Sequence, residues 1–113
     1  MCGMNVKAAG VALLAMAVSA TTLAEEFTVG QKDKTFVMNG GKVEKFTVKV
    51  GDTVHFKNED PFFHNVFSLS DVKTFDLGSY PAGQSKSVTF DKAGEADVEC
   101  AIHPVMMLKI EVK

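Results

Sequence analysis

The chain has 113 residues, with 12 Lys, no Arg, 14 Asp and Glu, and a formal net charge of −2. That length suits one domain and no more. The lysines are scattered with no run or stripe, which argues against a nucleic-acid partner, and no block of like charge or low-complexity tract suggests a charged tail.

In chain order, the opening "MCGMNVKAAGVALLAMAVSATTLA" reads as a secretory leader. Lys7 gives it a positive start, Ala8 to Ala20 form an apolar run, and the small residue Ala24 marks the expected cleavage point. The run falls short of the roughly 20 residues needed to cross a bilayer. The expectation is therefore an exported, periplasmic protein whose single domain is 25–113, without a membrane anchor. Loss of Lys7 moves the net charge one unit further negative. Cys2 leaves with the leader, so Cys100 remains without a cysteine partner in a compartment where cysteines normally pair.

From Glu25 onward the pattern is that of strands. In "KFTVKV", Phe46, Val48 and Val50 share one face; in "TVHFKN", Val54 and Phe56 do, which leaves His55 facing outward and solvated. "SVTF" at Ser87 to Phe90, "ADVEC" at Ala96 to Cys100 and "LKIEVK" at Leu108 to Lys113 alternate in the same way. Turn signals separate them at Gly40-Gly41, Gly51-Asp52, Pro81-Ala82-Gly83 and Lys92-Ala93-Gly94. Leu69 to Tyr80 is less regular and reads as strand plus loop. Short strands at this spacing predict an all-β, two-sheet antiparallel sandwich.

Two stretches carry chemistry. "ECAIHPVMM" places Cys100 at the end of a strand, on the inward face with Ala96 and Val98. Pro104 cannot continue a ladder, so His103 lies in a loop. Met106 shares the inward parity of Leu108, Ile110 and Val112, and Met107 has the opposite parity. "DPFFHNVFS" puts His64 at the start of another apolar segment, after the turn-like "NEDP". Two imidazoles, a thiolate and a weak axial thioether together suit a copper ion that cycles between Cu(I) and Cu(II). Either methionine can supply the thioether. Phe62, Phe63, Pro104 and Val105 serve either as packing or as an apolar rim around an exposed ligand edge.

"HN" at His64-Asn65 and "C-x-x-H-P-x-M" from Cys100 to Met106 resemble the cupredoxins, the small blue copper proteins. The short ligand loop is similar to that of the amicyanin- and plastocyanin-like group. "VGDTVHFKNEDPFFHNV" and "PAGQSKSVTFDKAGEADVEC" extend the likeness over most of the domain. The resemblance implies a Greek-key sandwich holding one copper ion, with His64, Cys100 and His103 as equatorial ligands and Met106 as the axial one. It also implies that Asn65 ties the ligand loops together, its backbone N–H facing the sulfur. Ile102 stands where relatives commonly carry proline. The tight loop is expected to aim its N–H at the Cys100 sulfur as a second donor.

The sequence departs from the family where aromatic residues are usual, at Ala96, Val98 and Glu99. A locking tyrosine is thus missing there, and the partner surface is open. The function expected is a monomeric one-electron carrier between protein redox partners, and not an enzyme. The alternative is a copper-binding or tolerance protein that does not shuttle electrons. A thiol enzyme using Cys100 with His103 as base lacks an evident third residue to orient the histidine.

Overall fold

The computed structural model describes residues 23–113, all of whose regular elements are strands. The proposed leader, with Cys2, Lys7 and the run from Ala8 to Ala20, lies outside the described residues. Ten strands follow in order: β1 Glu26–Lys32, β2 Thr35–Met38, β3 Gly41–Lys42, β4 Lys45–Val48, β5 Thr53–Asn58, β6 His64–Ser70, β7 Lys73–Tyr80, β8 Ser85–Thr89, β9 Gly94–Cys100 and β10 Met107–Val112. They form two five-stranded sheets, ordered β3-β2-β1-β5-β8 and β4-β10-β9-β6-β7.

The all-β, two-sheet sandwich expected from the alternation is present. Two pairings, β1 with β5 and β4 with β10, are parallel. The chain crosses to the other sheet and back between these partners, and a period of two reads the same in either direction. The irregular stretch from Leu69 to Tyr80 resolves into the end of β6, a turn at Asp71-Val72 and the long strand β7. Val50 departs from its expected inward parity. Strand β4 ends at Val48 and the chain turns toward Gly51, at φ 100, which leaves Val50 exposed.

Between the sheets lie Val29, Phe36, Val54, Phe56 and Val88 from one side and Val66, Val98, Leu108, Ile110 and Val112 from the other. Each such side chain contributes on the order of 1.5–3 kcal/mol when fully buried. Phe56, Phe75 and Phe90 run as a chain of ring contacts, 6.2 and 6.3 Å between centroids. At the β1–β2 hairpin, Asp33 and Lys34 both have positive φ (54 and 57), as the tight two-residue turn demands. That turn aims two backbone N–H groups toward the β5–β6 loop.

Candidate metal centre

Register decides which residues meet. Strand β6 runs antiparallel to β9 with Val66 opposite Cys100. His64 therefore begins β6 at the same end of the sheet where Cys100 finishes β9. A register irregularity between Asn65 and Phe67, on the β7 side, bends the strand at this point. After Cys100 the loop folds back on itself, with the Met106 N–H donating to the His103 carbonyl at 2.9 Å. That turn returns the His103 imidazole beside the thiol.

The result is a tight cluster. His64 Nδ1 and His103 Nδ1 each lie 3.7 Å from Cys100 Sγ, and the three donor atoms are within 4.8 Å of one another. His64 is fully buried and Cys100 nearly so, while His103 is half-buried. Met106 is buried, on the inward side with Leu108 and Ile110. Met107 is 56% exposed on the outer face, opposite Glu99 in the ladder. Parity thus separates the two methionines as the alternation predicts.

The cluster is held from behind by groups that the sequence reading did not single out. Asp60, buried four residues before His64, accepts from His64 Nε2 at 2.7 Å. Its two oxygens also accept the backbone N–H groups of Asp33 at 2.6 Å and Lys34 at 3.1 Å. Burial alone would raise the Asp60 carboxyl, but the bond from His64 and the N–H groups of Lys34 and Asp33 outweigh it and hold the group below the usual range. An ionised carboxylate only accepts, so His64 carries its proton on Nε2 and leaves Nδ1 free toward the sulfur. Asn58 organises the same loop. Its Nδ2 donates to the Phe62 and Tyr80 carbonyls at 2.8 and 3.0 Å, and its Oδ1 accepts the Asp60 N–H at 2.9 Å. The available signal was the polar run "NEDP", whose Asp lies one step of four from a candidate ligand.

The Asn65 N–H points at Cys100 Sγ, 3.5 Å away, as the resemblance implies. The side-chain Oδ1 of Asn65 is buried without a partner, so the bridge between the loops is made by its backbone and not by its amide oxygen. Ile102 corrects the expectation placed on it. Among the described residues the Asn65 N–H is the one backbone donor hydrogen-bonded to the sulfur. The chain bends at Ala101 and Ile102, and the Ile102 side chain is exposed. His55 is outward as expected, and its Nε2 pairs with Glu26 across the β1–β5 ladder.

Tyr80, at the end of β7, is buried, receives a bond from Gln31 Nε2 at 2.8 Å and donates to the Phe56 carbonyl at 3.2 Å. Burial pushes its hydroxyl up to about 12, with the Gln31 bond opposing and the nearby Cys100 adding.

The loops that carry His64 and His103 also expose Phe62, Phe63, Ile102 and Val105, the last at 83%. The Phe62 ring touches both imidazoles, its centroid 5.5 Å from that of His64 and 5.3 Å from that of His103. Partial burial lowers the His103 pKa first, and His64 and Lys34 push it the same way, against Asp60. The neutral imidazole, the form that can ligate, is therefore favoured.

Nothing but a soft or borderline cation suits such donors. Two imidazole nitrogens and one thiol sulfur converge at one end of an all-β sandwich, and a buried thioether follows three residues later. Hard ions such as calcium and magnesium take oxygen ligands. A His₂Cys set with a weak thioether marks the class of blue-copper proteins, and the residues present fit that ion. The sequence model described as "Copper binding proteins, plastocyanin/azurin family" matches residues 25–113. The chain belongs to this copper-binding family, and copper is its cofactor.

Two curated relatives show partial likeness. The methylamine utilization protein MauL of Methylorubrum extorquens is 31% identical over 65 residues, 57% of this chain and 57% of that protein. The amicyanin of Paracoccus denitrificans is 38% identical over 69 residues, 58% of this chain and 53% of its own. The chain thus spans little more than half the length of these relatives. Among solved structures, the Cu(I) form of a methionine-to-alanine mutant of amicyanin superposes with a TM-score of 0.68 at 28% identity, covering 83% of this chain and 88% of the other. The oxidised state of a proline-to-alanine mutant of amicyanin gives the same TM-score of 0.68, identity of 28% and coverage of 83% and 88%.

Proposed function

We propose that this protein is an exported, monomeric one-electron carrier, in which His64, Cys100, His103 and Met106 would hold the copper ion. The observation that carries the reading is the convergence of His64 Nδ1, His103 Nδ1 and Cys100 Sγ on one space, with separations of 3.7 Å from the sulfur. Bound copper supplies a one-electron couple between Cu(I) and Cu(II). The chain's own part is to keep the donors in one arrangement through both states. Asp60 fixes the His64 tautomer, and the Asn65 N–H draws electron density from the sulfur. Phe62 packs on both imidazoles and limits the approach of water.

The exposed apolar rim beside His103 suits brief docking of a protein partner, with the imidazole edge as the point of electron exchange. Cys100 is buried and acts as a ligand rather than a nucleophile, so no substrate is turned over. Export rests on the leader pattern that ends at Ala24.

The test is direct. The purified protein titrated with Cu(II) gives an intense thiolate-to-copper band in the visible, and the bound ion is reduced and reoxidised without loss. A protein that binds copper without that band, or that sheds the ion on reduction, fits the holding role instead.

A further inference from the structure

The end of the sandwich away from the metal centre contains a buried carboxylate. Asp52 precedes β5 and is fully buried. Its Oδ1 accepts the backbone N–H of Glu25 at 2.8 Å, and its Oδ2 accepts the backbone N–H of Lys49 at 2.8 Å. Both donors are neutral amides. The nearest full positive charge, Lys49 Nζ, is 3.9 Å from Oδ2 and is engaged at 2.6 Å by the Glu25 carboxylate outside.

Glu25 is also where the ordered ladder starts. Its carbonyl accepts the Thr53 N–H at 3.0 Å, and from Glu26 onward β1 pairs with β5. Leu23 and Ala24 are exposed, and no hydrogen bond among the described residues holds them. The Glu25 nitrogen is thus the last atom on the N-terminal side that the fold grips, and it is gripped by an anion.

We propose that Asp52 is the receptor for the α-ammonium group created when the leader is removed, so that processing itself completes this end of the fold. The proposal rests on the reading that cleavage follows Ala24. In that step water adds across the Ala24–Glu25 amide. The C–N bond breaks, Ala24 leaves with a carboxylate, and the Glu25 nitrogen gains the protons of an ammonium. A leader peptidase of the export machinery is the catalyst.

The group that forms at 2.8 Å from Asp52 Oδ1 is charged near neutral pH, since an unperturbed α-amine titrates at about 7.7–8.0. A neutral donor becomes a charged one, and charge-assisted bonds are roughly twice as strong. The other charges facing the group are Lys49 and Lys113, which line the same cleft, and the Glu25 carboxylate, which already pairs with Lys49. Before cleavage the same nitrogen is an amide, so Oδ1 is met by a neutral donor and Lys49, 3.9 Å from Oδ2 and shared with Glu25, is the one positive charge near the carboxylate.

The experiment uses the full chain, exported and processed by its host, beside a version with Ala-Gly inserted between Ala24 and Glu25. Intact mass reads the first residue of each purified product. A wild-type product that begins at any residue other than Glu25 overturns the cleavage reading and this proposal with it. With Glu25 first, urea unfolding is expected to give a folding constant about tenfold above that of the inserted form, the gain from charging one hydrogen bond. The gap closes when Asp52→Asn is introduced into both.

Equal stabilities with Asp52 intact, or a gap that persists in Asp52→Asn, overturn the receptor role alone. Should Asp52→Asn fail to fold, selective acylation of the α-amine in the wild type still decides. Slower reaction than at the inserted terminus supports the pair, and equal reaction refutes it. The visible copper band, at the far end of the molecule, is the same in every folded form.

Discussion

Replacing Asp60 by Asn separates the shape of this carboxylate from its charge. The aspartate is 3% exposed and accepts three hydrogen bonds, from His64 Nε2, Asp33 N–H and Lys34 N–H. The asparagine amide has one oxygen and one NH₂. If its NH₂ takes the place of Oδ2, it faces the Lys34 N–H and the imidazole, and His64 must present a lone pair at Nε2 and a proton at Nδ1. That is the tautomer that cannot ligate. If the amide is reversed, the clash moves to the Asp33 N–H, and the imidazole keeps its tautomer but loses a charged acceptor.

Either way one bond to a charged group is lost and two are weakened. At roughly 1.5–3 kcal/mol for such a bond and about 1 kcal/mol for a neutral one, the cost to the metal-free fold is about 3 kcal/mol. Loss of a partner that orients a ligand histidine typically reduces metal affinity about 10–100-fold. Urea unfolding of the metal-free protein and copper titration against a competing chelator measure the two quantities. Stability and affinity both unchanged in Asp60→Asn would refute the claim that this carboxylate sets the tautomer.

Three further outcomes are expected. Cys100→Ser removes the visible band and most of the copper affinity, because a protonated hard oxygen replaces a soft thiolate; retained colour argues against Cys100 as ligand. Met106→Gln keeps copper bound but lowers its reduction potential, while Met107→Gln, changed at an exposed outer position, shifts it much less. Voltammetry that gives the reverse order would make Met107 the axial ligand. The metal-free protein loses stability on acidification in two stages. The lowered pKa of His103, set first by burial, means that its unfolded form takes up protons sooner, from about pH 6.5 downward. The depressed carboxyls of Asp52, set first by the Glu25 N–H, and of Asp60 contribute stability present above about pH 4 and lost below it. A urea midpoint that rises between pH 7 and pH 5 contradicts this assignment.

Periodicity and spacing by themselves determined the strands β4, β5, β8, β9 and β10 (though not β1 to β3), the inward faces of Cys100 and Met106, and a donor set whose chemistry selects copper. These are local properties. Alternation is a consequence of the pleat, and a Cys-x-x-His loop returns its imidazole beside the thiol through a short chain. What the tertiary structure alone decided lies between segments distant in sequence. The parallel pairing of β1 with β5 depends on the chain leaving one sheet and returning to it, which a period of two does not encode. The outward turn of Val50 follows from where β4 stops.

The support behind His64 comes from a hairpin about 30 residues earlier, because the positive-φ turn at Asp33 and Lys34 docks on the loop that carries Asp60. Asp60 read as one more turn-forming acid, since nothing in "NEDP" says that its carboxylate is buried. The Ile102 N–H does not bond to the sulfur for a related reason. Loop length brings an amide near a target, but its direction is set by the dihedrals that packing selects. Residue types thus name the chemistry, and the packed sheets decide which atoms face it.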